Sequence, residues 1–296
     1  MNDQAATLRQ NAASDQSDQR VPSRLRCIAV GSGKGGVGKT MVSIGLSCAL
    51  ARWKYNVLII DADLGLANVD LQLGVEPLYT LQDVVFGSCP VEEAVISTPY
   101  GPDLLASSSG APEMVNMGGA RRELLVNELM RFAGRYDYLI IDGAAGIGQS
   151  IVSFFAAAPE VAIVVANEPT SIMDAYSLIK VLRQNPQPPA LRLVLNMVRT
   201  LCEGEQLAAR LNLITRKFLG IEIPVAGVVP YDFVVGNAIR ARKPVSAYAP
   251  GSVPARCLEE VARFFSKESA LRRGEVPDGR VFFEKLAEIG ASGQGE

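Results

Sequence analysis

The residues of this chain with the most chemical potential form a glycine-rich run, Gly33-Lys34-Gly35-Gly36-Val37-Gly38-Lys39-Thr40. Its spacing fits a loop that cradles phosphates. Glycines let backbone N–H groups approach anionic oxygens, and the helix that follows turns its positive dipole end toward them. In such a loop the lysine at Lys39 reaches the terminal phosphates and the Thr40 hydroxyl ligates Mg²⁺. Gly33, Gly35, Gly36, Val37, Gly38, Lys39, Thr40 and the next residue, Met41, form the expected nucleotide-binding set. Two segments ending in acidic residues accompany it. Val57-Leu58-Ile59-Ile60 runs into Asp61-Ala62-Asp63, two carboxylates at i and i+2. Leu139-Ile140-Ile141-Asp142 is an apolar run ending in an acid, suited to holding Mg²⁺ through water while accepting a hydrogen bond from Thr40. The small residues Gly143-Ala144-Ala145-Gly146-Ile147-Gly148 then suit a switch segment that approaches a γ-phosphate.

Groups so far apart in sequence need a scaffold that gathers them. Short apolar runs alternate with amphipathic segments from residue 25 onward. Strands are expected at Leu25–Val30, Val57–Ile60, Asp103–Ala106, Tyr138–Ile141, Val161–Ala166, Leu191–Leu195 and Val225–Val228. Helices are expected at Lys39–Trp53, Arg121–Arg135, Ser171–Arg183, Glu203–Phe218 and Pro254–Lys267. Several strands are apolar throughout, as in a parallel sheet covered on both faces. The reading is an α/β, doubly wound, mostly parallel sheet with right-handed crossovers and its site at the carboxyl ends of the strands. Residues 1–23 are polar and read as a flexible leader, 24–270 as the nucleotide-binding domain, and 271–296 as a tail with a helix at 280–290.

Composition narrows the chemistry. The 296 residues are 48% hydrophobic, enough for a sizeable core. There is no histidine, so histidine-based acid–base or metal chemistry is excluded. The net charge of −2 gives no global basic field, so direct DNA binding is not expected. The five cysteines show no C-x-x-C spacing, which points to a reducing cytosol without structural disulfides. No signal peptide is recognised, and the longest apolar run, Val161–Ala166, is far too short to span a bilayer.

A second lysine, Lys34, directly follows the first glycine of the loop. The resulting KGGVGKT is the deviant Walker A signature, and the chain resembles the ParA/MinD family of ATPases. That resemblance implies ATP and Mg²⁺ as cofactors and slow ATP hydrolysis. It also implies a nucleotide-sandwich homodimer in which Lys34 reaches the partner's ATP. Asp63 takes the role of orienting the attacking water, and Asp61 that of nearby Mg²⁺ and switch support. Asn196, after Leu191–Leu195, and Pro230-Tyr231-Asp232 fall where the family contacts the adenine.

Three segments resemble the FlhG (FleN, YlxH) branch, MinD-like regulators of flagellar number and placement. They are Asp61–Asp70, Glu168–Tyr176 and the leader Asp3-Gln4-Ala5-Ala6-Thr7-Leu8-Arg9. The leader match implies that Asp3, Gln4, Ala5, Leu8 and Arg9 act on the GTPase FlhF. The branch further implies flagellar switch proteins and a flagellar transcription regulator as partners. Two other readings share the fold. One is a MinD-type division-site regulator. The other is an iron–sulfur carrier ATPase, disfavoured because Cys89, Cys202 and Cys257 are scattered.

The C-terminal pattern puts Phe282, Leu286 and Ile289 at i, i+4 and i+7 with Phe283 beside them. The resemblance implies a membrane-targeting helix, and so a cytoplasmic protein that associates reversibly with the inner face of the cell membrane. Burying four such side chains yields roughly 6–10 kcal/mol gross. Ordering costs consume much of that, so two copies on a dimer would bind far better than one. The same stripe would also suit a helix packed on its own domain.

Overall fold

The computed structural model describes residues 25–63, 67–107, 126, 128–272 and 278–291, with the side chains of 149–150, 271–272, 280 and 287–291 left aside. The strands are β1 Arg26–Ser32, β2 Val57–Ala62, β3 Val95–Ser97, β4 Asp103–Leu105, β5 Tyr138–Ala145, β6 Glu160–Ala166, β7 Ala190–Val198 and β8 Val225–Pro230. The helices used below are α1 Lys39–Arg52, α2 Gln149–Ala157, α3 Pro169–Arg183, α4 Leu201–Leu219, α5 Phe233–Arg240, α6 Val253–Phe264 and α7 Arg280–Ala291.

The strands form one sheet in the order β3-β4-β2-β5-β1-β6-β7-β8. Every neighbouring pair is parallel except the edge pair β3–β4. The doubly wound, mostly parallel sheet expected from the sequence is therefore present. Period-two alternation divides β1 between two cores. Cys27 and Ala29 join Val161, Leu178 and Leu207 on one face, while Ile28 and Val30 join Val42, Leu46 and Leu258 on the other. Burial on both faces explains why these strands are apolar without a polar stripe. Register then sets the site: Asp142 lies level with Val30 on one side and with Asp61 on the other.

Most differences from the expected elements are at their ends. The strand expected at Tyr138–Ile141 continues to Ala145, because Gly143 still pairs with Ala62 and Ala145 with Ser32. The segment expected as a switch thus begins as sheet, and Gly143 is required there because a Cβ would enter the Phe155 ring. The expected helix Pro254–Lys267 stops at Phe264, and Lys267 opens a separate short helix, Lys267–Arg272. Of the expected helix Arg121–Arg135, residues 126 and 128–133 are helical, and 121–125 and 127 lie outside the described residues. β3 was not anticipated: three residues leaving a short helical turn, Val91–Ala94, carry too little pattern to read. All five cysteines are free thiols, and Cys27 and Cys48 pack in the core.

The C-terminal helix requires a correction. Phe282, Phe283 and Leu286, expected to face a membrane, are 0%, 1% and 7% exposed. They belong to the same core as Leu25 and Phe155, and Phe154 of α2 meets the Phe282 ring edge-on at 5.6 Å. Lys285 adds a hydrogen bond to the Gln187 carbonyl at 2.9 Å. The physical reason is proximity. Gly279 N–H donates to the Leu25 carbonyl at 3.1 Å, which delivers the helix onto an apolar surface of its own domain. The side chain of Ile289 lies outside the described set.

Candidate nucleotide site

The glycine-rich run turns sharply between the carboxyl end of β1 and the first residue of α1. Gly36 and Gly38 have φ of 79° and 88°, a region closed to most side chains. A Cβ on Gly33 would strike the Asp174 carbonyl of α3, and one on Gly38 would strike the Asn196 amide. Gly35 and Gly36 instead face open space. The loop is thus packed tightly where it meets the protein and open where a phosphate would enter.

The two lysines are placed very differently. Lys39, the first residue of α1, is 8% exposed and belongs to the loop's interior. Lys34 has 38% of its side chain exposed; its ammonium pairs with Glu168 and donates to Thr170 Oγ1 at 3.0 Å. Both partners come from the start of α3, the segment singled out in sequence only as a marker of the branch.

Asp142 is held at both carboxylate oxygens. Thr40 Oγ1 donates to Oδ2 at 2.7 Å and Ser43 Oγ to Oδ1 at 2.7 Å. The Thr40 contact is the one expected. Ser43 was missed, although it lies one helical turn beyond Lys39 and Thr40 and so shares their face. Asp61 accepts from the backbone of Asp63 at 3.0 Å, of Asn68 at 3.0 Å and of Val69 at 3.2 Å. Its carboxylate pins both described ends of the turn that carries Asp63; Leu64, Gly65 and Leu66 lie outside the described residues. Asp63 itself is part-buried at the end of β2.

Burial, and then the charge of Asp142, push the Asp61 carboxyl up to about 7 against the pull of its three backbone bonds. Burial likewise pushes Asp142 up to about 6, opposed by its bonds from Ser43 and Thr40 and by the charge of Lys39. Two buried carboxylates level on adjacent strands, with the Thr40 hydroxyl bonded to one of them, suit a hard divalent cation such as Mg²⁺.

The expected base contacts are spread along the same rim. Asn196 is 1% exposed and donates from Nδ2 to the Val37 carbonyl at 2.8 Å, so in this conformation its amide supports the loop. Pro230 ends β8, Tyr231 is 59% exposed, and Asp232 caps α5 by accepting from Val234 N–H at 2.9 Å. The leader residues Asp3, Gln4, Ala5, Leu8 and Arg9 lie outside the described residues. Among the described residues no helix is long and apolar enough to cross a membrane.

A phosphate loop at the central strand, with two acids level beside it and a second lysine near its mouth, defines the MinD/ParA class of P-loop ATPases. Comparison with known proteins agrees and goes further. A family model described as an AAA domain matches residues 25–189. The chain is 39% identical over 271 residues to the antiactivator FleN of Pseudomonas aeruginosa, covering 91% of this chain and 96% of that one. It is 29% identical over 292 residues to the flagellum site-determining protein YlxH of Helicobacter pylori, covering 97% and 98%. Among solved structures, the septum site-determining protein MinD of Pyrococcus horikoshii, complexed with Mg-ADP, is similar with a TM-score of 0.69 at 25% identity, over 84% of this chain and 98% of that one. The chain belongs to the FlhG/FleN (YlxH) group of the MinD/ParA family, and it is an ATPase of that family.

Proposed function

We propose that this ATPase is a dimerising switch that sets flagellar number and placement. Mg·ATP joins two copies, slow hydrolysis separates them, and the joined form engages partners. The observation that carries this is the contrast between Lys39, sunk in its own loop, and Lys34, held at the surface by Glu168 and Thr170 where a second copy's nucleotide could claim it. The names of the relatives, an antiactivator and a flagellum site-determining protein, support the flagellar setting.

Lys39 and the N–H groups from Gly33 to Met41 hold the phosphates. Thr40 and Asp142 hold Mg²⁺, with Asp61 beside them. When bound, the cation neutralises charge on the phosphates during transfer to water. Asp63 orients that water, and Asn196, Pro230, Tyr231 and Asp232 form the wall for the base. Residues 3–9 of the leader stimulate FlhF, and flagellar switch proteins and a flagellar transcription regulator are further partners. Reversible association with the inner face of the cell membrane would require α7 to leave its seat. Flotation with anionic liposomes, with and without Mg·ATP, tests that step, and a parent protein that never floats would discard it.

Light scattering of Asp63→Ala tests the central claim. The variant is expected to be a dimer with Mg·ATP and a monomer with ADP, and adding Lys34→Ala is expected to keep it monomeric. A Lys34→Ala protein that dimerises normally would remove the trans-acting lysine.

A further inference from the structure

We infer that Ser43 is a positioning residue for the Mg²⁺ site: it fixes Asp142 so that Asp142 can in turn orient Thr40. The inference rests on the nucleotide reading above and adds a residue outside the loop motif.

A buried serine in a helix ordinarily donates to the carbonyl four residues back. Ser47 does so, bonding the Ser43 carbonyl at 2.7 Å. Ser43 has the same option, the Lys39 carbonyl, but at 3.2 Å, whereas Asp142 Oδ1 stands at 2.7 Å. One hydroxyl carries one proton, and the shorter, charge-assisted bond takes it. Ser43 is 0% exposed and Asp142 1% exposed, so water cannot replace the bond if it is lost. The residue on the other oxygen is Thr40. An Asp142 gripped at Oδ1 by Ser43 has one rotamer, and its Oδ2 then receives the Thr40 proton. With its proton given to Asp142, the Thr40 hydroxyl keeps its lone pairs for the cation. The arrangement is an outer-shell support of the kind that typically changes metal affinity by about 10–100-fold when removed. Ser43 is also reached from the loop in one turn of α1, so the loop and the acid that serves it are aligned by a single rigid element.

The test reads binding rather than turnover. A fluorescent ADP analogue, mant-ADP, is titrated into the full-length protein without Mg²⁺ and again with saturating Mg²⁺, and the ratio of the two affinities is taken. Ser43→Ala is expected to keep the Mg²⁺-free affinity and to lose about ten-fold of the Mg²⁺ enhancement. Ser47→Ala is the comparator: it removes a buried hydroxyl from the same helix, also 0% exposed, that bonds only its own backbone in the contacts described. It is expected to keep the full enhancement. Equal enhancement in Ser43→Ala and the parent, or an equal loss in Ser47→Ala, would overturn the role of Ser43 while leaving nucleotide binding intact. Failure of the parent to bind mant-ADP at all would overturn the nucleotide reading and this inference with it. Should Ser43→Ala not fold, Ser43→Thr, which keeps the hydroxyl, is expected to retain the enhancement, and its loss in a folded Ser43→Thr would count against the proposal.

Discussion

Thr40, Ser43 and Asp142 are held together by directed bonds of 2.7 Å, whereas Phe282, Phe283 and Leu286 are held by burial. The difference lies in how much each kind of contact demands of the sequence. A phosphate loop needs particular atoms at particular distances, so residue types and spacing identify it. Apolar burial has no direction, so an apolar stripe shows which face of a helix leaves water and not what it leaves water for. The same stripe would serve a membrane or a domain core, and here it serves the core.

Phe282→Ala removes a ring that is 0% exposed and is expected to cost about 3–5 kcal/mol of stability. Urea unfolding measures this, and ATP turnover per folded molecule is expected to stay within two-fold, roughly the scale of a change outside the site. A loss below about 1 kcal/mol would mean that the helix spends its time undocked in solution.

Asp63→Ala reverses the pattern. Stability is expected to hold, while hydrolysis falls about 100-fold or more, the scale of losing a group that orients the nucleophile. Steady-state turnover and an ATP-binding titration are the paired measurements. Equal losses in both would make Asp63 part of the binding cradle instead.

Glu168→Gln gives the smallest effect and sharpens the comparison within the site. The Lys34–Glu168 pair is exposed, with 38% and 57% of the two side chains open to solvent, so it is worth about 1 kcal/mol at most. Removing its charge is expected to lower the protein concentration needed for Mg·ATP dimerisation, by no more than about five-fold. Sedimentation in an Asp63→Ala background measures this. A shift in the opposite direction would mean that Glu168 helps to present Lys34 and does not restrain it.

Legibility followed the same division. Lys39 and Thr40 were readable because a motif fixes their spacing, Asp142 because an apolar run ends in it, and the sheet because strands buried on both faces are apolar from end to end. Ser43 was not readable, since a serine inside a helix has no pattern until a strand from 99 residues away arrives beside it. The extension of β5 from Asp142 to Ala145 was missed because small residues signal a turn in sequence, while in the fold Gly143 is small to admit the Phe155 ring. The bond from Asn196 to the Val37 carbonyl was not readable either, because it depends on a loop 159 residues earlier. The edge strand β3 owes its form to β4 alone, and three residues borrow their structure from a neighbour.

The bond from Gly279 to Leu25 has a practical consequence. The polypeptide enters the domain and launches its last helix from one shared doorway. A Cβ on Gly279 would crowd both the carbonyl and the side chain of Leu25. The doorway therefore has no spare width. A side chain at position 279 would disturb the entry into β1 and the start of α7 together.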